Sequence, residues 1–297
     1  MLEPGAVVGF VGTGVMGKAM AGHLMDAGYR LRVHNRTRSK AQDLIDRGAE
    51  WCDAPGDVAR GAAAVITIVG YPADVEAIYL GEGGLVATAA PGTVLIDMTT
   101  STPSLAVRIS DAAAQRGVLA LDAPVSGGDV GARDARLTIM VGGDGTAFAG
   151  AEPLLRVMGP NVVRQGGAGA GQHTKMANQI AIADTIVGVC ESLAYAEAAG
   201  LDPARVLDSI GAGSAGSWQL ANYAPRMLAG DFAPGFFVKH FIKDMRIARD
   251  EAEAMGVELP GLLLALGLFE DLALAGYEDR GIHALYLLYR QRVEAAG

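Results

Sequence analysis

Lys175, Asn178 and Gln179 stand at i, i+3 and i+4 in a run that reads as a helix, so an ammonium and two amides share one face. An ammonium beside an amide can protonate a carbonyl oxygen and, once neutral, take a proton from a hydroxyl. A solvated helix face is the commoner use of such a lysine. The segment before it, Gly166-Gly167-Ala168-Gly169-Ala170-Gly171-Gln172-His173-Thr174, has glycines that permit tight turns and close approach of the backbone to a ligand. His173 lies two residues before Lys175, faces elsewhere on the helix and reads as structural.

Three further stretches carry chemistry-bearing residues. Gly12-Thr13-Gly14-Val15-Met16-Gly17 follows the apolar run Ala6–Val11 and precedes a helix-like run from Lys18 to Ala27. With Leu31–His34 as the next strand, this is a βαβ unit, the setting a dinucleotide fingerprint requires. Gly12 permits the turn, Gly14 admits the pyrophosphate, and Gly17 allows close helix–strand packing. After the second strand, a site for NAD usually carries an acidic residue. The chain instead reads Asn35-Arg36-Thr37-Arg38-Ser39-Lys40, a guanidinium and a hydroxyl that suit a 2′-phosphate, so NADP (as NADPH) is favoured over NAD. Finally, Asp122-Ala123-Pro124-Val125-Ser126-Gly127-Gly128 ends a strand in a turn. Its backbone N–H groups and Ser126 hydroxyl suit a carboxylate, although a routine turn reads the same way.

Candidate strands at Ala64–Val69, Thr93–Asp97, Val118–Asp122 and Leu137–Gly142 are interspersed with helical segments near 73–79 and 103–116. This alternation predicts an α/β, mostly parallel, doubly wound sheet. From Gln172 onward the pattern is helical, with candidates at 172–199, 203–211, 217–229, 237–255, 260–275 and 283–295. The reading is a dinucleotide-binding domain over 1–165 and an all-helical domain over 166–297, joined by a helix over about 170–199. Gly200 can end that helix, and Pro203 suits the first turn of the next. Leu262, Leu263, Leu264, Leu266 and Leu268 exceed what one small helical domain should hide. They suggest a homodimer or homotetramer formed through the C-terminal helices, or simply a core.

The chain has 297 residues, 51% hydrophobic and 19% charged, which marks a folded protein with room for two domains. Its formal net charge of −9 argues against nucleic acid or an anionic membrane as partner. No uninterrupted apolar run reaches the length of a membrane span, and the N-terminus reads as a motif, not a signal peptide. Cys52 and Cys190 are expected reduced and buried, which fits a cytoplasmic protein. His23, His34, His240 and His283 have no ligand spacing, so no metal is expected.

The motifs occur in a fixed order: Gly9–Gly17, Asp97-Met98-Thr99-Thr100, Asp122–Gly128, Gly169-x-Gly171-x-x-x-Lys175-x-x-Asn178 and Lys243-Asp244-Met245. This order resembles the β-hydroxyacid dehydrogenase family, the group of 3-hydroxyisobutyrate dehydrogenase and tartronate semialdehyde reductase, over essentially the whole chain. The resemblance implies a Rossmann-like N-terminal domain, a long interdomain helix and an all-α C-terminal domain that mediates oligomerisation. It implies a small β-hydroxyacid as substrate, oxidised to the semialdehyde or keto form with NAD or NADP. Lys175 then falls on the family lysine and Asn178 on its supporting asparagine. Ser126, Gly127 and Gly128 fall on the substrate-binding turn, Thr99 on the residue near the nicotinamide, and Lys243 on a cofactor contact.

Some residues depart from the family pattern. Gln179 stands where many members have a second asparagine, and Gly70-Tyr71-Pro72 replaces a Leu-Pro. Gly216-Ser217-Trp218 and the 235–244 segment resemble a subgroup without an assigned substrate. Trp218 either walls the substrate site or packs between helices, and Lys239 reads as solvated. For Lys175 to act near neutral pH its pKa must fall, and burial and the positive end of its own helix both push that way. Imine reductases share the architecture but usually carry Asp or Tyr at the lysine position. A full-length 6-phosphogluconate dehydrogenase is excluded by size. The remaining alternative is a non-catalytic NADP-binding protein.

Overall fold

The computed structural model describes residues 2–296, with side chains through residue 293. The chain forms two compact units, Met1–Lys175 and Met176–Gly297.

The first unit is built on one sheet. Its strands are β1 (Val7–Val11), β2 (Arg30–His34), β3 (Glu50–Trp51), β4 (Ala64–Thr67), β5 (Val94–Asp97), β6 (Leu119–Asp122), β7 (Val125–Ser126), β8 (Thr138–Gly143) and β9 (Asn161–Gly166). Their spatial order is β3-β2-β1-β4-β5-β6-β8-β7, with β9 beside β8. The first six are parallel, in the order of a dinucleotide-binding sheet. β8 runs antiparallel to β6 and β7, and β9 pairs parallel with β8.

The doubly wound character is visible in the side chains. Along β1, Val8 and Phe10 enter one core while Val11 enters the core on the other face. β4 divides the same way, Ala64 and Ile66 against Val65, and β5 sends Val94 and Ile96 opposite Leu95. Strands covered on both faces can be apolar throughout, which is why they read as continuous runs and not as alternation.

The carboxyl ends of β1, β2, β5 and β6 lead into Gly12–Gly17, Asn35–Thr37, Met98–Thr99 and Ala123–Gly128 respectively. Ligands of open α/β sheets bind at this edge. The sequence therefore placed its motifs correctly by placing its strands.

Several elements were missed. The helix Gly145–Arg156 contains Gly150 and Pro153, which weaken its helical signature, yet Asp144 caps it by accepting from the N–H groups of Thr146 and Ala147. β9 has a single buried residue, Val162, and so lacks an apolar run.

The second unit is helical, and one helix, Ala170–Ala198, runs through the boundary between the units. It ends at Gly200 (φ +71°), and Pro203 opens the next helix, Pro203–Gly211, behind the Asp202 cap. The single helix expected over 217–229 is instead two, Trp218–Asn222 and Ala224–Leu228. Pro225 has no N–H to continue the ladder, so the chain restarts there. Val238–Ala254 and Pro260–Leu272 follow, then a π-type turn over Ala273–Tyr277 that contains Gly276 at φ +89°. A 3-10 turn, Ile282–Leu285, precedes the last helix, Tyr286–Ala296.

Leu262, Leu266 and Leu268 are core residues, whereas Leu263 and Leu264 are exposed and Leu274 is 87% exposed. Among the described residues, Ala170–Ala198 and Pro260–Tyr277 are long and apolar enough overall to pass for membrane spans. Each does so only as a window average, since neither is an uninterrupted apolar run. The first of the two nonetheless carries Lys175, Asp184, Glu191 and Glu197.

Candidate active site

The fingerprint loop is shaped by what each glycine must avoid. Gly12 sits at φ +99°, and a Cβ there would lie 2.0 Å from the Ile68 carbonyl oxygen. A Cβ on Gly17 would lie 1.9 Å from the Gly12 carbonyl oxygen. Gly14 differs, because nothing in the protein lies within 4 Å of where its Cβ would be. A glycine with empty space beside it leaves that space for something else. The neighbouring Thr13 hydroxyl is buried without a hydrogen-bond partner, and Val15 is exposed. Together these features fit a bound pyrophosphate at this helix start.

Thr13 donates its N–H to the Asn35 side-chain oxygen at 3.0 Å, and Asn35 Nδ2 donates to the Thr37 carbonyl at 2.9 Å. Asn35 is thus a brace between the fingerprint loop and the end of β2. Beyond it Arg36 and Thr37 are solvent-exposed. The Arg38 guanidinium lies over the Trp51 ring at 5.1 Å.

Thr99 is buried at the end of β5. Its hydroxyl accepts from the Val69 N–H at 3.0 Å and its own N–H donates to Asp97 at 3.1 Å. The Thr67 hydroxyl donates to the same Asp97 oxygen at 2.8 Å. That uses its one proton, so the Tyr79 hydroxyl, 2.9 Å away, donates to Thr67. Burial pushes the Asp97 carboxyl up to about 6, while the bonds from Thr99 and Thr67 pull it back.

The long helix begins against β6 and β8. Asp122 accepts the N–H groups of Gly169 (2.8 Å) and Gln172 (2.9 Å). Gln172, fully buried, donates Nε2 to the Thr99 carbonyl at 2.8 Å and accepts from the Ser101 N–H at 3.0 Å. A Cβ on Gly171 would lie 2.4 Å from the Met140 carbonyl and 2.5 Å from that of Asp122.

The close approach that Gly169 and Gly171 allow is to the protein's own sheet and to Pro103. The Asp122 carboxylate meets the positive end of this helix, three residues before Lys175. Burial pushes Asp122 itself upward, opposed by its backbone bonds.

Lys175 follows one turn after Gln172 and is only 6% exposed. It is a buried ammonium position, and the solvated-face alternative does not apply. His173 is exposed. Asn178 and Gln179 belong to the second unit, where Asn178 Nδ2 donates to Gln179 Oε1 at 2.7 Å and Gln179 Nε2 donates to Asp244 at 2.6 Å. Lys243 Nζ lies 3.0 Å from the other oxygen of Asp244.

Ser126 pairs in the short β7, and Gly127 (φ +134°) and Gly128 (φ +64°) open the helix Gly128–Arg133. Trp218 is 55% exposed, with its ring edge-on to Tyr223 at 5.1 Å, so it does not pack buried between helices. Lys239 is in ion-pair contact with Asp279 at 2.5 Å, on a face where both side chains remain exposed. Asp122, Gln172 and Asp244 were not singled out as organisers of the site. A buried-type amide three residues before Lys175 was a usable signal for Gln172. The pairing of Gln179 with Asp244, 65 residues apart, left none.

Known proteins bear on this geometry. Residues 7–167 match the family described as the NAD binding domain of 6-phosphogluconate dehydrogenase. Residues 169–289 match the one described as NAD-binding of NADP-dependent 3-hydroxyisobutyrate dehydrogenase. The chain is 53% identical to the uncharacterized oxidoreductase YkwC of Bacillus subtilis, over 95% of this chain and 98% of that one. It is 36% identical to 3-hydroxyisobutyrate dehydrogenase of Pseudomonas aeruginosa, over 95% and 98%. Among solved structures, Mycobacterium tuberculosis 3-hydroxyisobutyrate dehydrogenase with L-serine superposes with TM-score 0.88 at 29% identity, covering 96% of this chain and 99% of that one. A Streptomyces aurantiacus imine reductase, at 23% identity, TM-score 0.65 and coverage of 95% and 98%, shares the fold alone. The chain belongs to the β-hydroxyacid dehydrogenase family, as an NAD(P)-dependent hydroxyacid dehydrogenase of the 3-hydroxyisobutyrate dehydrogenase type.

Proposed function

We propose that this enzyme interconverts a small β-hydroxyacid and its semialdehyde with NADP(H), using Lys175 as general acid and base. The observation that carries the reading is a buried lysine whose helix start is hydrogen-bonded to the Thr99 segment. The nicotinamide, when bound, supplies and accepts the hydride. Lys175 takes the hydroxyl proton in oxidation and returns it to the carbonyl oxygen in reduction. Ser126, Gly127 and Gly128 hold the substrate carboxylate, and Asn178 directs the amine or the substrate hydroxyl. The fingerprint residues Gly12, Thr13, Gly14, Val15 and Met16 hold the pyrophosphate. Arg36 and Thr37, exposed with no carboxylate beside them in sequence, receive the 2′-phosphate, and Asn35 keeps their turn in place. Thr99 lies by the nicotinamide and Lys243 contacts the cofactor.

The substrate class follows from shared chemistry. L-serine, held by the Mycobacterium tuberculosis relative, and 3-hydroxyisobutyrate each place a hydroxyl two carbons from a carboxylate. Exposed Leu263 and Leu264 favour a homodimer or homotetramer, and buried free Cys52 and Cys190 suit the cytoplasm.

The test is NADPH oxidation against succinic, methylmalonic and tartronic semialdehydes, glyoxylate and a cyclic imine. Turnover of a carboxylate-bearing aldehyde, with NADH at least about tenfold less efficient, is the expected result. Turnover of the imine alone would favour an imine reductase. Cofactor binding without any turnover would favour a non-catalytic protein.

A further inference from the structure

The second unit contains a line of four polar side chains, of which the reading above uses only the two ends. Asn178 Nδ2 donates to Gln179 Oε1 at 2.7 Å, Gln179 Nε2 donates to Asp244 Oδ2 at 2.6 Å, and Asp244 Oδ1 meets Lys243 Nζ at 3.0 Å. Gln179 and Asp244 are buried, Gln179 completely. A buried carboxylate is tolerated only when its oxygens are answered by donors or positive charge: Oδ2 accepts from Gln179, while Oδ1 accepts no hydrogen bond and is answered by the Lys243 charge.

The Gln179 amide has a forced orientation. Flipping it would set its NH2 against the NH2 of Asn178 and its oxygen against the Asp244 carboxylate, turning two attractions into two repulsions. Its length also matters. An asparagine would fall short by one methylene, about 1.5 Å, and could not span the same gap without the two helices shifting.

We infer that Gln179 is a positioning residue that couples Asn178 to Lys243 through Asp244. One buried amide thereby sets the direction of the substrate-side amide and the place of the cofactor-side ammonium. This rests on the roles proposed above for Asn178 and Lys243. It goes beyond them by giving Gln179 a task at both.

The experiment uses the full chain and reads NADPH affinity by fluorescence titration, together with kcat and thermal melting. The variants are Gln179→Met, which keeps length without donor or acceptor, Gln179→Asn, Lys243→Ala and the double variant Gln179→Met/Lys243→Ala. The relay predicts that Gln179→Met weakens NADPH binding about tenfold and lowers kcat. Gln179→Asn restores neither, and the double variant binds NADPH no more weakly than Lys243→Ala alone. Should Gln179→Met fail to melt cooperatively, Gln179→Asn against Lys243→Ala supplies the same cycle. Unchanged affinity and kcat in a folded Gln179 variant, or losses that simply add in the double variant, would overturn the relay while leaving the site's reading intact. An unaltered protein that binds no NADPH would overturn both.

Discussion

Gln172 holds the Thr99 segment from both sides, donating to the Thr99 carbonyl at 2.8 Å and accepting from the Ser101 N–H at 3.0 Å. Its own N–H goes to Asp122 at 2.9 Å. The first turn of the Lys175 helix is therefore pinned to the ends of β5 and β6 at once. A lysine one turn along such a helix inherits a fixed distance from Thr99, which is the pre-organisation that the proton transfer proposed for Lys175 would need.

Gln172→Leu leaves a carbonyl and an N–H buried without partners, at a cost of about 2–4 kcal/mol in stability. Urea unfolding reads the stability loss. At saturating substrate, kcat is expected to fall more than about tenfold as Thr99 and Lys175 lose their mutual placement. An unchanged unfolding midpoint would show that the bridge contributes nothing.

The glycines of the fingerprint separate folding from binding. Gly14→Ala meets open space and is expected to fold normally while weakening NADPH affinity by at least about tenfold, because the new methyl stands where the pyrophosphate approaches. Gly17→Ala meets the Gly12 carbonyl at 1.9 Å and is expected to lose stability first. Melting temperature beside cofactor titration distinguishes the two. A destabilised Gly14→Ala with intact affinity would reverse the assignment.

Much of this was legible in the chain. Strand–loop–helix order put Gly12–Gly17 at the end of β1, and runs such as Ala64–Thr67 announced strands buried on both faces. The polar interior was not legible. Asp122, Gln172 and Asp244 look like ordinary polar residues until folding brings them to partners dozens of residues away, and no local period records such pairing. Gly171 illustrates the limit, since a local sequence that permits close approach does not say to what, and here it is the Met140 and Asp122 carbonyls.

Two buried groups give the two units opposite responses to acid. Burial and its neighbour Asp122 hold Asp97 up to about 6, against a usual 3.8, and bonds from Thr67 and Thr99 only partly offset this. The folded state then binds more protons than the unfolded one between those values, so stability from this group fades as pH rises through that window. His283 is buried between Tyr223 and Phe232 and pulled down to about 4 from 6.5, despite its bond to the Asp231 carbonyl. Its contribution is complete above 6.5 and is lost as pH falls towards 4. Urea unfolding between pH 4 and 6.5 is expected to show Asp97→Asn gaining stability more steeply with rising pH than the unaltered protein, and His283→Gln less steeply. Parallel profiles for all three proteins would contradict both assignments.

In the proposed reaction the buried side chain of Lys175 moves the proton. The direct measurement is kcat of Lys175→Ala with its preferred hydroxyacid or aldehyde, alongside NADPH affinity in the same preparation. Intact NADPH binding and a kcat at least about 10²-fold lower are expected. Near-normal turnover in that variant would contradict it.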